Sequence, residues 1–375
     1  MADELLDCIV VGAGISGLAT AKILAASGSS VAVLDRKGLA EETSSNSLRI
    51  MHGGIRYLQQ LDLFRAGRSF RDQCRIFREY GEFVRELPCL MPLERFGMKS
   101  RFPATVGSLL FRCVGFAATG ALPTSRVLSR NEAEKSIPAL SSLFSCGAFS
   151  WSDGQLVDPR GLVSRLAQEI ESGSGSVITE CEVSQIRESL KERRVLLETS
   201  IGSLFARTVV LAPGPWVQRA LFPAAPYHGL KLTKAFNLVF RTSRPLPCAL
   251  GVKTEHGRLL FITPRDGVTA VGTWYSQWNE PIEELKVHEE EIEQAIAECN
   301  SRLSKELFRR EELAGVEAGL LPMKRVSNGE PVLFGRDETK ASGRVISLLS
   351  TKYTTFLSLG ERAAKEVITL LNTHS

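Results

Sequence analysis

The chain has 375 residues, of which 43% are hydrophobic and 23% are charged, and its formal net charge is +4. This composition is typical of a globular protein, and the length suits one large α/β domain together with a second one. The small positive charge gives no reason to expect nucleic acid as a partner, whereas an anionic small molecule is compatible with it.

The eight cysteines are scattered and include no C-x-x-C pair. This pattern favours reduced thiols and gives no metal-ligand spacing. The first apolar run is too short for a signal peptide and follows acidic residues. The stretch that comes nearest to a membrane span, residues 104–121, is interrupted by Arg112 and is rich in Gly and Thr. We therefore expect a cytoplasmic protein and leave peripheral membrane contact open.

A glycine-rich turn lies between a predicted strand and a predicted helix near the N-terminus. Residues 6–11 are an apolar, β-branched run, and Gly12, Gly14 and Gly17 follow in the pattern G-x-G-x-x-G. These glycines permit a tight turn, close approach of a pyrophosphate and close packing of the helix on the strand. Asp35, at the end of the next strand, would accept hydrogen bonds from ribose hydroxyls and disfavours a 2′-phosphate. The unit predicts a dinucleotide site.

A hydroxyl-rich loop and a Gly-Gly turn come next. Residues 42–47 read Glu-Thr-Ser-Ser-Asn-Ser, and residues 48–58 read Leu-Arg-Ile-Met-His-Gly-Gly-Ile-Arg-Tyr-Leu. This run resembles the FAD-dependent glycerol-3-phosphate dehydrogenases, within the D-amino-acid-oxidase-like superfamily. In that family the loop holds the pyrophosphate and ribityl chain, and the His-Gly-Gly turn runs beside the isoalloxazine ring. Hydroxyls and backbone N–H groups suit a diphosphate, and glycines allow a flat ring to approach the backbone. The resemblance therefore implies FAD as the cofactor.

Two later stretches are similar to the same family. Residues 148–160 resemble the segment that returns the chain from the substrate domain to the cofactor domain, and Asp158 followed by proline predicts the start of a helix over 159–172. Residues 176–186 are typical of a strand. Val183 within it stands where the adenine contact of the family falls, and an ordinary core valine is the alternative.

The resemblance continues to about residue 371. An apolar strand over 206–212 ends in a Pro-Gly-Pro-Trp turn similar to the A-T-G-x-W turn of the family, with Pro213 in place of threonine. Residues 231–277 predict an antiparallel sheet, and residues 283–310 predict a long charged helix. Three further stretches match motifs of the family in part. Residues 317–323 match G-x-R-P, residues 333–337 match R-D, and residues 352–356 match G-G-K-x-T-T-Y. A closing helix is predicted over 357–371.

These matches predict an α/β protein in which a discontinuous Rossmann-type FAD-binding domain carries an inserted substrate domain built on a mixed or antiparallel sheet. The predicted FAD-binding domain comprises residues 1–80, 150–230 and 318–375, and the substrate domain comprises 81–149 and 231–317. The FAD-binding residues that the resemblance implies are Gly12, Gly14, Ile15, Ser16, Gly17, Asp35, Arg36, Thr43, Ser44, Ser45, His52, Gly53, Gly54, Val183, Ala212, Gly214, Trp216, Lys352 and Thr354.

Four positions of the family carry cations that hold the phosphate of the substrate. Arg56, Arg336 and Lys352 match three of them, and Leu320 stands at the fourth. Guanidinium and ammonium groups suit a phosphate or a carboxylate, so the resemblance implies a small anionic substrate, with glycerol 3-phosphate favoured. Residues 274–275, Trp-Tyr, replace Thr-Asp of the family; they indicate a bulkier ligand or pack in the core.

The reaction that the resemblance implies is hydride transfer from the substrate to the flavin. Arg56 and Arg336 would clamp the anion with help from Lys352, and His52 would take the proton or else orient its loop. His256 is a second candidate base, with an ordinary exposed histidine as the alternative. A 2-hydroxy-acid or D-amino-acid oxidase-like enzyme, an inactive flavin-binding partner protein and, more distantly, an NAD-dependent dehydrogenase remain alternatives. Quinone, oxygen and another protein all remain open as the electron acceptor.

Overall fold

The computed structural model of the protein describes residues 5–39, 41–58, 61–189, 191–218, 227, 230–242, 246–254, 257–303, 305–327 and 330–372. Within these residues the chain forms eight α-helices and eighteen β-strands. The helices are α1 Ile15–Ala26, α2 Ile55–Leu58, α3 Leu63–Glu79, α4 Arg101–Thr119, α5 Arg130–Ser136, α6 Pro159–Glu171, α7 Glu289–Leu303 and α8 Phe356–Asn372. The strands are β1 Leu5–Val11, β2 Val31–Leu34, β3 Ile50–Met51, β4 Val84–Pro92, β5 Ser125–Leu128, β6 Ala148–Leu156, β7 Gly175–Ile178, β8 Val183–Ser189, β9 Arg194–Thr199, β10 Gly202–Leu211, β11 Leu232–Arg241, β12 Ala249–Lys253, β13 Leu259–Arg265, β14 Val268–Trp278, β15 Leu313–Ser327, β16 Glu330–Leu333, β17 Glu338–Ser342 and β18 Val345–Leu349.

The first sheet is a Rossmann-type sheet in the order β17-β18-β10-β1-β2-β7. Its strands β18, β10, β1, β2 and β7 are parallel, while β17 pairs antiparallel with β18 and the β8–β9 hairpin extends from β10. Parallel strands buried on both faces need apolar side chains in both directions, which explains the apolar run of residues 8–11 in β1.

Successive side chains of β1 pack in two different cores. Cys8 and Val10 pack in the core formed with α1, α6 and α8, whereas Ile9 and Val11 pack in the core formed with β8, β9 and β10. This division follows from the alternation of side chains along a strand. The helix N-terminus after β1 is thereby held at the carboxyl end of the parallel strands, where ligands of open α/β sheets bind.

The second sheet has the order β16-β15-β11-β14-β13-β12-β4-β6-β3, with β5 paired to β6. Its pairs are antiparallel except for β12 with β4. One apolar core joins it to α5, α7 and the turn Pro138–Phe144, and another joins it to α3 and α4. A Rossmann-type unit with a mixed second sheet is the predicted fold class, and it is confirmed.

The predicted helix after Asp158 is also confirmed, because the Asp158 carboxylate accepts a hydrogen bond from the Gly161 N–H at 2.8 Å and α6 follows. Two predictions were too long. Residues 176–186 form two strands, because the chain leaves the sheet after Ile178 and the Cys181 N–H bonds to the Asp35 carbonyl at 2.8 Å. The charged stretch over 283–310 is α-helical only in α7.

Four strands of the second sheet contain residues that the prediction places in the FAD-binding domain, namely β3, β6, β15 and β16. β6 and β15 pair within the second sheet, although residues 150–156 and 318–327 were assigned to the cofactor domain. Both strands are continuous across the proposed boundary, so the ladder of hydrogen bonds carries them into the substrate sheet. The division into two domains itself stays a prediction.

Candidate functional site

A cleft of about 340 Å³ opens where the carboxyl ends of the Rossmann strands meet the second sheet. Its wall contains the predicted positions Gly12, Gly14, Ile15, Ser16, Asp35, Arg36, Thr43, Ser44, Val183, Ala212, Gly214, Trp216 and Lys352. Residues that lie far apart in the chain therefore converge on one surface. Their contacts with FAD stay predictions.

The glycine turn is shaped so that a diphosphate could reach the backbone. Gly12 has φ +108°, and a Cβ there would lie 2.4 Å from the Ala212 carbonyl oxygen. At Gly14 a Cβ would meet only the Ser44 hydroxyl, at 3.4 Å, so the absence of a side chain leaves the cleft side of the turn open. The Ile15 N–H donates to Ser44 Oγ at 3.2 Å, which fixes the serine loop beside the N-terminus of α1. Backbone donors at a helix N-terminus bind phosphate.

The Ser16 hydroxyl is a buried polar group of a residue that lines the cleft. It lies in the first turn of α1, is 7% exposed, lines the cleft and has a buried hydroxyl without a hydrogen-bond partner among the described residues. A buried polar group without a partner is costly unless a ligand or water satisfies it. Together with the turn around Gly14, this hydroxyl fits the pyrophosphate of a dinucleotide.

Asp35 closes the same end of the cleft. Its carboxylate accepts the Ala13 N–H at 2.7 Å and the Lys37 N–H at 2.9 Å. Burial raises the pKa of the Asp35 carboxyl, and the two backbone hydrogen bonds oppose that rise. Nearby, the Arg36 guanidinium lies 4.3 Å from the centre of the Trp216 ring. These contacts form a polar, flat-walled end to the cleft of the kind that the ribose and adenine of FAD need.

The His-Gly-Gly turn is anchored by a residue that sequence reasoning missed. The buried carboxylate of Asp153 lies 2.9 Å from His52 Nδ1, accepts the Gly53 N–H at 2.6 Å and accepts Trp151 Nε1–H at 3.0 Å. The His52 ring packs beside Phe261, with the ring centres 5.5 Å apart. These contacts are the ones expected if His52 orients its loop. They leave Nε2 as the nitrogen for any proton transfer, and a catalytic role for His52 stays a prediction.

Two cations meet at the Gly335 carbonyl and the Tyr57 ring. The Lys352 ammonium donates to the Gly335 carbonyl at 3.0 Å, and the Arg65 guanidinium donates to the same oxygen. Both also lie over the Tyr57 ring, Lys352 at 4.5 Å and Arg65 at 4.8 Å from its centre. Sequence reasoning missed Arg65 because it lies outside the matched motifs and reaches this place only through the packing of α3.

Of the other two predicted cations, the structure describes the side chain of Arg336 only. Arg336 is exposed and is not among the described residues of the cleft wall. The side chain of Arg56 and all of His256 lie outside the described residues. The predicted clamp by Arg56 and Arg336 therefore stays a prediction, whereas Lys352 lines the cleft.

Not every predicted cofactor residue lies on the wall. Among the described residues, the wall omits Gly17, Ser45, His52, Gly53, Gly54 and Thr354. Gly17 lies within α1, the Gly53 N–H donates to the Asp153 carboxylate, and Thr354 is 6% exposed before α8.

The part of the cleft wall that the second sheet contributes is partly apolar. Leu320 lines it, is 2% exposed and packs with Leu232 and Trp278. Tyr275 also lines it, whereas Trp274 points into the core, where its indole N–H donates to Glu298 at 2.8 Å. Tyr275 therefore fits the interpretation as a ligand contact, and Trp274 fits the interpretation as core packing, because neighbouring side chains on a strand face opposite ways.

A buried ion cluster fixes the serine loop to the second sheet. Arg265, 8% exposed, forms a bidentate pair with Glu317 at 2.7 and 3.1 Å and donates to the Ser47 carbonyl at 2.6 Å. Arg49 reaches the same carboxylate at 3.4 Å, and burial lowers the pKa of its guanidinium. The cluster ties the loop that borders the glycine turn to β13 and β15.

Comparison with known proteins supports the interpretation of this cleft as an FAD site. The FAD dependent oxidoreductase family model, DAO, matches residues 7–346. The chain is 26% identical to aerobic glycerol-3-phosphate dehydrogenase of Bacillus subtilis over 96% of its own length and 66% of that protein. It is 24% identical to alpha-glycerophosphate oxidase of Streptococcus pneumoniae over 94% of its length and 60% of that protein. The chain thus spans two thirds or less of the length of these relatives.

Solved structures show the same fold. The glycerol-3-phosphate dehydrogenase of Bacillus halodurans complexed with FAD superposes with a TM-score of 0.76, at 22% identity over 99% of this chain and 66% of that one. The FAD-bound L-alpha-glycerophosphate oxidase of Mycoplasma pneumoniae superposes with a TM-score of 0.73, at 16% identity over 98% of this chain and 95% of that one. The family match, together with a cleft whose glycine turn, Ser16 and Asp35 fit a flavin dinucleotide, establishes FAD as the cofactor. The chain belongs to the FAD dependent oxidoreductase family.

Proposed function

We propose that the protein oxidises a small anionic alcohol, with glycerol 3-phosphate as the favoured substrate. Bound FAD supplies the two-electron acceptor for the hydride that leaves the substrate carbon. The observation that carries the proposal is the position of Lys352, a cation on the cleft wall that shares the Gly335 carbonyl with Arg65. The names of the relatives, which act on glycerol phosphate, support the same choice.

Lys352, Arg65 and His52 would have different roles in such a reaction. Lys352 would bind the anionic end of the substrate as a point charge, and Arg65 holds the neighbouring carbonyl so that the ammonium stays at the cleft. Holding one end of a small substrate fixes its reacting carbon, which removes much of the entropic cost of the reaction. His52, held through Nδ1 by Asp153, is the candidate to accept the hydroxyl proton through Nε2.

A second candidate is a 2-hydroxy acid or an amino acid. It is favoured by Leu320 and Tyr275 on the cleft wall, because they make this wall less polar than a phosphate site with another guanidinium would be. A carboxylate carries less charge than a phosphate dianion and needs fewer cations around it. The two candidates differ in which anion Lys352 binds.

Anaerobic reduction of the bound flavin tests the choice. The purified FAD-loaded protein is mixed with glycerol 3-phosphate, with glycerol, with lactate and with D- and L-amino acids, and the visible flavin absorbance is followed. We expect glycerol 3-phosphate to bleach the flavin and glycerol to fail, because glycerol lacks the anion. Bleaching only by a hydroxy acid or an amino acid would replace the substrate, and a flavin that none of them reduces would support a flavin-binding partner protein. Reoxidation by oxygen or by a soluble quinone then distinguishes the electron acceptors.

A further inference from the structure

A short turn between β14 and α7 is anchored on the second sheet. It is the 3-10 turn Ile282–Glu284, and we call it the acidic turn. Ile282 and Leu285, three positions apart, lie on one side of it, because a 3-10 helix repeats every three residues. Both side chains pack against the apolar cluster that contains Leu320, a residue of the cleft wall. One side of the acidic turn is therefore held against the back of the cleft.

A buried lysine fixes the chain just after the acidic turn. Lys234 on β11 is 3% exposed, and its ammonium donates to the Lys286 carbonyl at 3.0 Å. The same ammonium lies 2.6 Å from a carboxylate oxygen of Glu291 on α7. A buried ion pair with further hydrogen bonds holds its partners in one geometry. The position of the acidic turn relative to the second sheet is thus set by apolar packing and by this lysine.

Glu283 extends from the acidic turn to the Rossmann side of the cleft. Its Oε1 accepts a hydrogen bond from Trp216 Nε1–H at 3.3 Å and lies 3.6 Å from the Arg36 guanidinium. Trp216 and Arg36 also contact each other, with the guanidinium 4.3 Å from the centre of the Trp216 ring. Both residues line the cleft. One carboxylate oxygen therefore joins the second sheet to two residues of the opposite wall.

The Arg36 guanidinium lies between two carboxylates. One of its terminal nitrogens is 3.6 Å from Glu42 of the serine loop, and the other is 3.6 Å from Glu283. A long side chain held from two sides has fewer rotamers open to it, so less entropy is lost when a ligand binds against it. Glu283 thereby holds both Arg36 and the Trp216 ring in the arrangement that faces the cleft.

We propose that Glu283 is a positioning residue for the adenosine half of FAD. Arg36 directly follows Asp35, the residue expected to accept the ribose hydroxyls, so Arg36 and Trp216 border the end of the cleft that suits adenosine. By ordering these two side chains, Glu283 strengthens the binding of adenosine and slows the release of the cofactor. The acidic turn then acts as a latch between the two sheets at this end of the cleft.

An ordinary surface ion pair is the competing interpretation. The Glu283 side chain is 48% exposed, and an isolated exposed pair contributes little to stability. Two features favour the positioning role: one oxygen serves two partners, and both partners line the cleft. The interpretations differ in a measurable way. A surface pair would affect FAD and FMN binding equally, whereas positioning of the adenosine half affects FAD alone, because FMN lacks that half.

Release of FAD from the loaded protein tests the proposal. The FAD-loaded protein is diluted, and the fluorescence of the released flavin is followed with time. We expect Glu283→Ala to release FAD about threefold to tenfold faster, the effect of losing one exposed ion pair and one hydrogen bond. Glu283→Gln keeps an acceptor for Trp216 and should give an intermediate rate. High salt should bring Glu283→Gln and the native protein closer together, because an exposed ion pair is screened.

The control is Glu284→Ala, which removes an exposed carboxylate from the same turn and should leave the release rate unchanged. A mixture of FAD and FMN then distinguishes positioning from a general loss of structure. The loaded protein is equilibrated with both flavins, and the bound amounts are quantified. We expect Glu283→Ala to shift the bound ratio toward FMN by about threefold to tenfold. Release as slow as in Glu284→Ala, or loss of both flavins at a constant ratio, would overturn the proposal.

Trp216→Phe completes a double-mutant cycle. The phenylalanine keeps an aromatic ring beside Arg36 and removes the indole N–H that Glu283 accepts. We expect the combined variant with Glu283→Ala to release FAD more slowly than the product of the two single effects predicts, because the two residues act through one contact. Independent effects would contradict the proposed route. All these measurements are made without substrate, so their outcome is separate from that of the substrate test.

Discussion

His52 and Asp153 are joined across 101 positions of sequence, with His52 Nδ1 2.9 Å from a carboxylate oxygen of Asp153 that is buried beneath the His-Gly-Gly turn. The same carboxylate accepts the Gly53 N–H, so one side chain sets both the backbone and the ring of the turn. A carboxylate on Nδ1 fixes the ring orientation and directs Nε2 away from it. Asp153 thus positions both the His52 ring and the backbone of this turn, and we propose that it acts through them on flavin reduction.

Asp153→Asn tests this positioning. The amide places a donor where the carboxylate accepted three hydrogen bonds, so the ring and the turn lose their common anchor. We expect the limiting rate of flavin reduction by glycerol 3-phosphate to fall at least about tenfold, with a smaller change in KM. Stopped-flow reduction over a range of substrate concentrations gives both quantities. Asp266→Asn is the control, since Asp266 is 84% exposed; equal losses in the two variants, or a change in KM alone, would contradict the role.

Lys352→Met tests the anion site. Removing one charged hydrogen bond costs about 1.5–3 kcal/mol, so KM for glycerol 3-phosphate should rise about tenfold or more while the melting temperature changes little. The matched variant is Lys340→Met, an exposed lysine on β17. Steady-state and stopped-flow kinetics on both variants provide the comparison. An unchanged KM for Lys352→Met would remove this lysine from the substrate site.

Glu317→Gln tests the ion cluster. Glu317 pairs with both Arg265 and Arg49, and a buried cation that loses its partner destabilises a protein by about 3–5 kcal/mol. We expect a loss of stability near the lower end of this range and weaker retention of FAD, because Arg265, which holds the Ser47 carbonyl, loses the carboxylate that positions it. Chemical denaturation and the flavin content after dialysis measure the two effects. The exposed Glu311→Gln is the control, and a Glu317→Gln variant as stable as that control would refute the role.

Asp72→Asn tests a pH dependence of stability. Asp72 on α3 is 3% exposed, accepts a hydrogen bond from Ser358 on α8, and has one oxygen without a partner among the described residues. Burial raises the pKa of the Asp72 carboxyl from 3.8 to about 6. Between these two values the folded state binds more protons than the unfolded state, so this group lowers the stability as the pH rises.

The asparagine variant removes that titration. We expect it to be more stable than the native chain at neutral pH by up to about 3 kcal/mol, and the difference should disappear as the pH falls from about 6 to about 4. Denaturant unfolding at several pH values measures the difference. Asp266→Asn should show no such trend, and a difference for Asp72→Asn that is constant with pH would contradict the assignment.

The local features of the cofactor site could be predicted from the sequence. The run of β1, the spacing of Gly12, Gly14 and Gly17, and Asp35 after β2 all lie within about thirty residues, and each has a direct backbone reason. The cap of α6 at Asp158 is local in the same way. The longer matches to the family indicated FAD and the second sheet.

The contacts that complete the site depend on tertiary structure. Arg65 and Gly335 are 270 positions apart in the sequence, and Arg49 and Glu317 are 268 apart. No local sequence pattern therefore predicts either contact. The aromatic pair was undecided for another reason: a shift of one residue in strand register exchanges the two faces, and only pairing of β14 with β11 and β13 turns Tyr275 to the cleft and Trp274 to the core.

The sequence by itself thus determined the dinucleotide turn, the family and the cofactor, because these depend on short spacings and on the conformations that glycine and a helix N-terminus allow. Tertiary structure decided that Asp153 holds His52, that Arg65 joins Lys352 while Arg336 is exposed, and that Glu283 contacts Arg36 and Trp216. Each of these depends on which distant elements pack together, and the free energy of that packing is shared among many residues of the core.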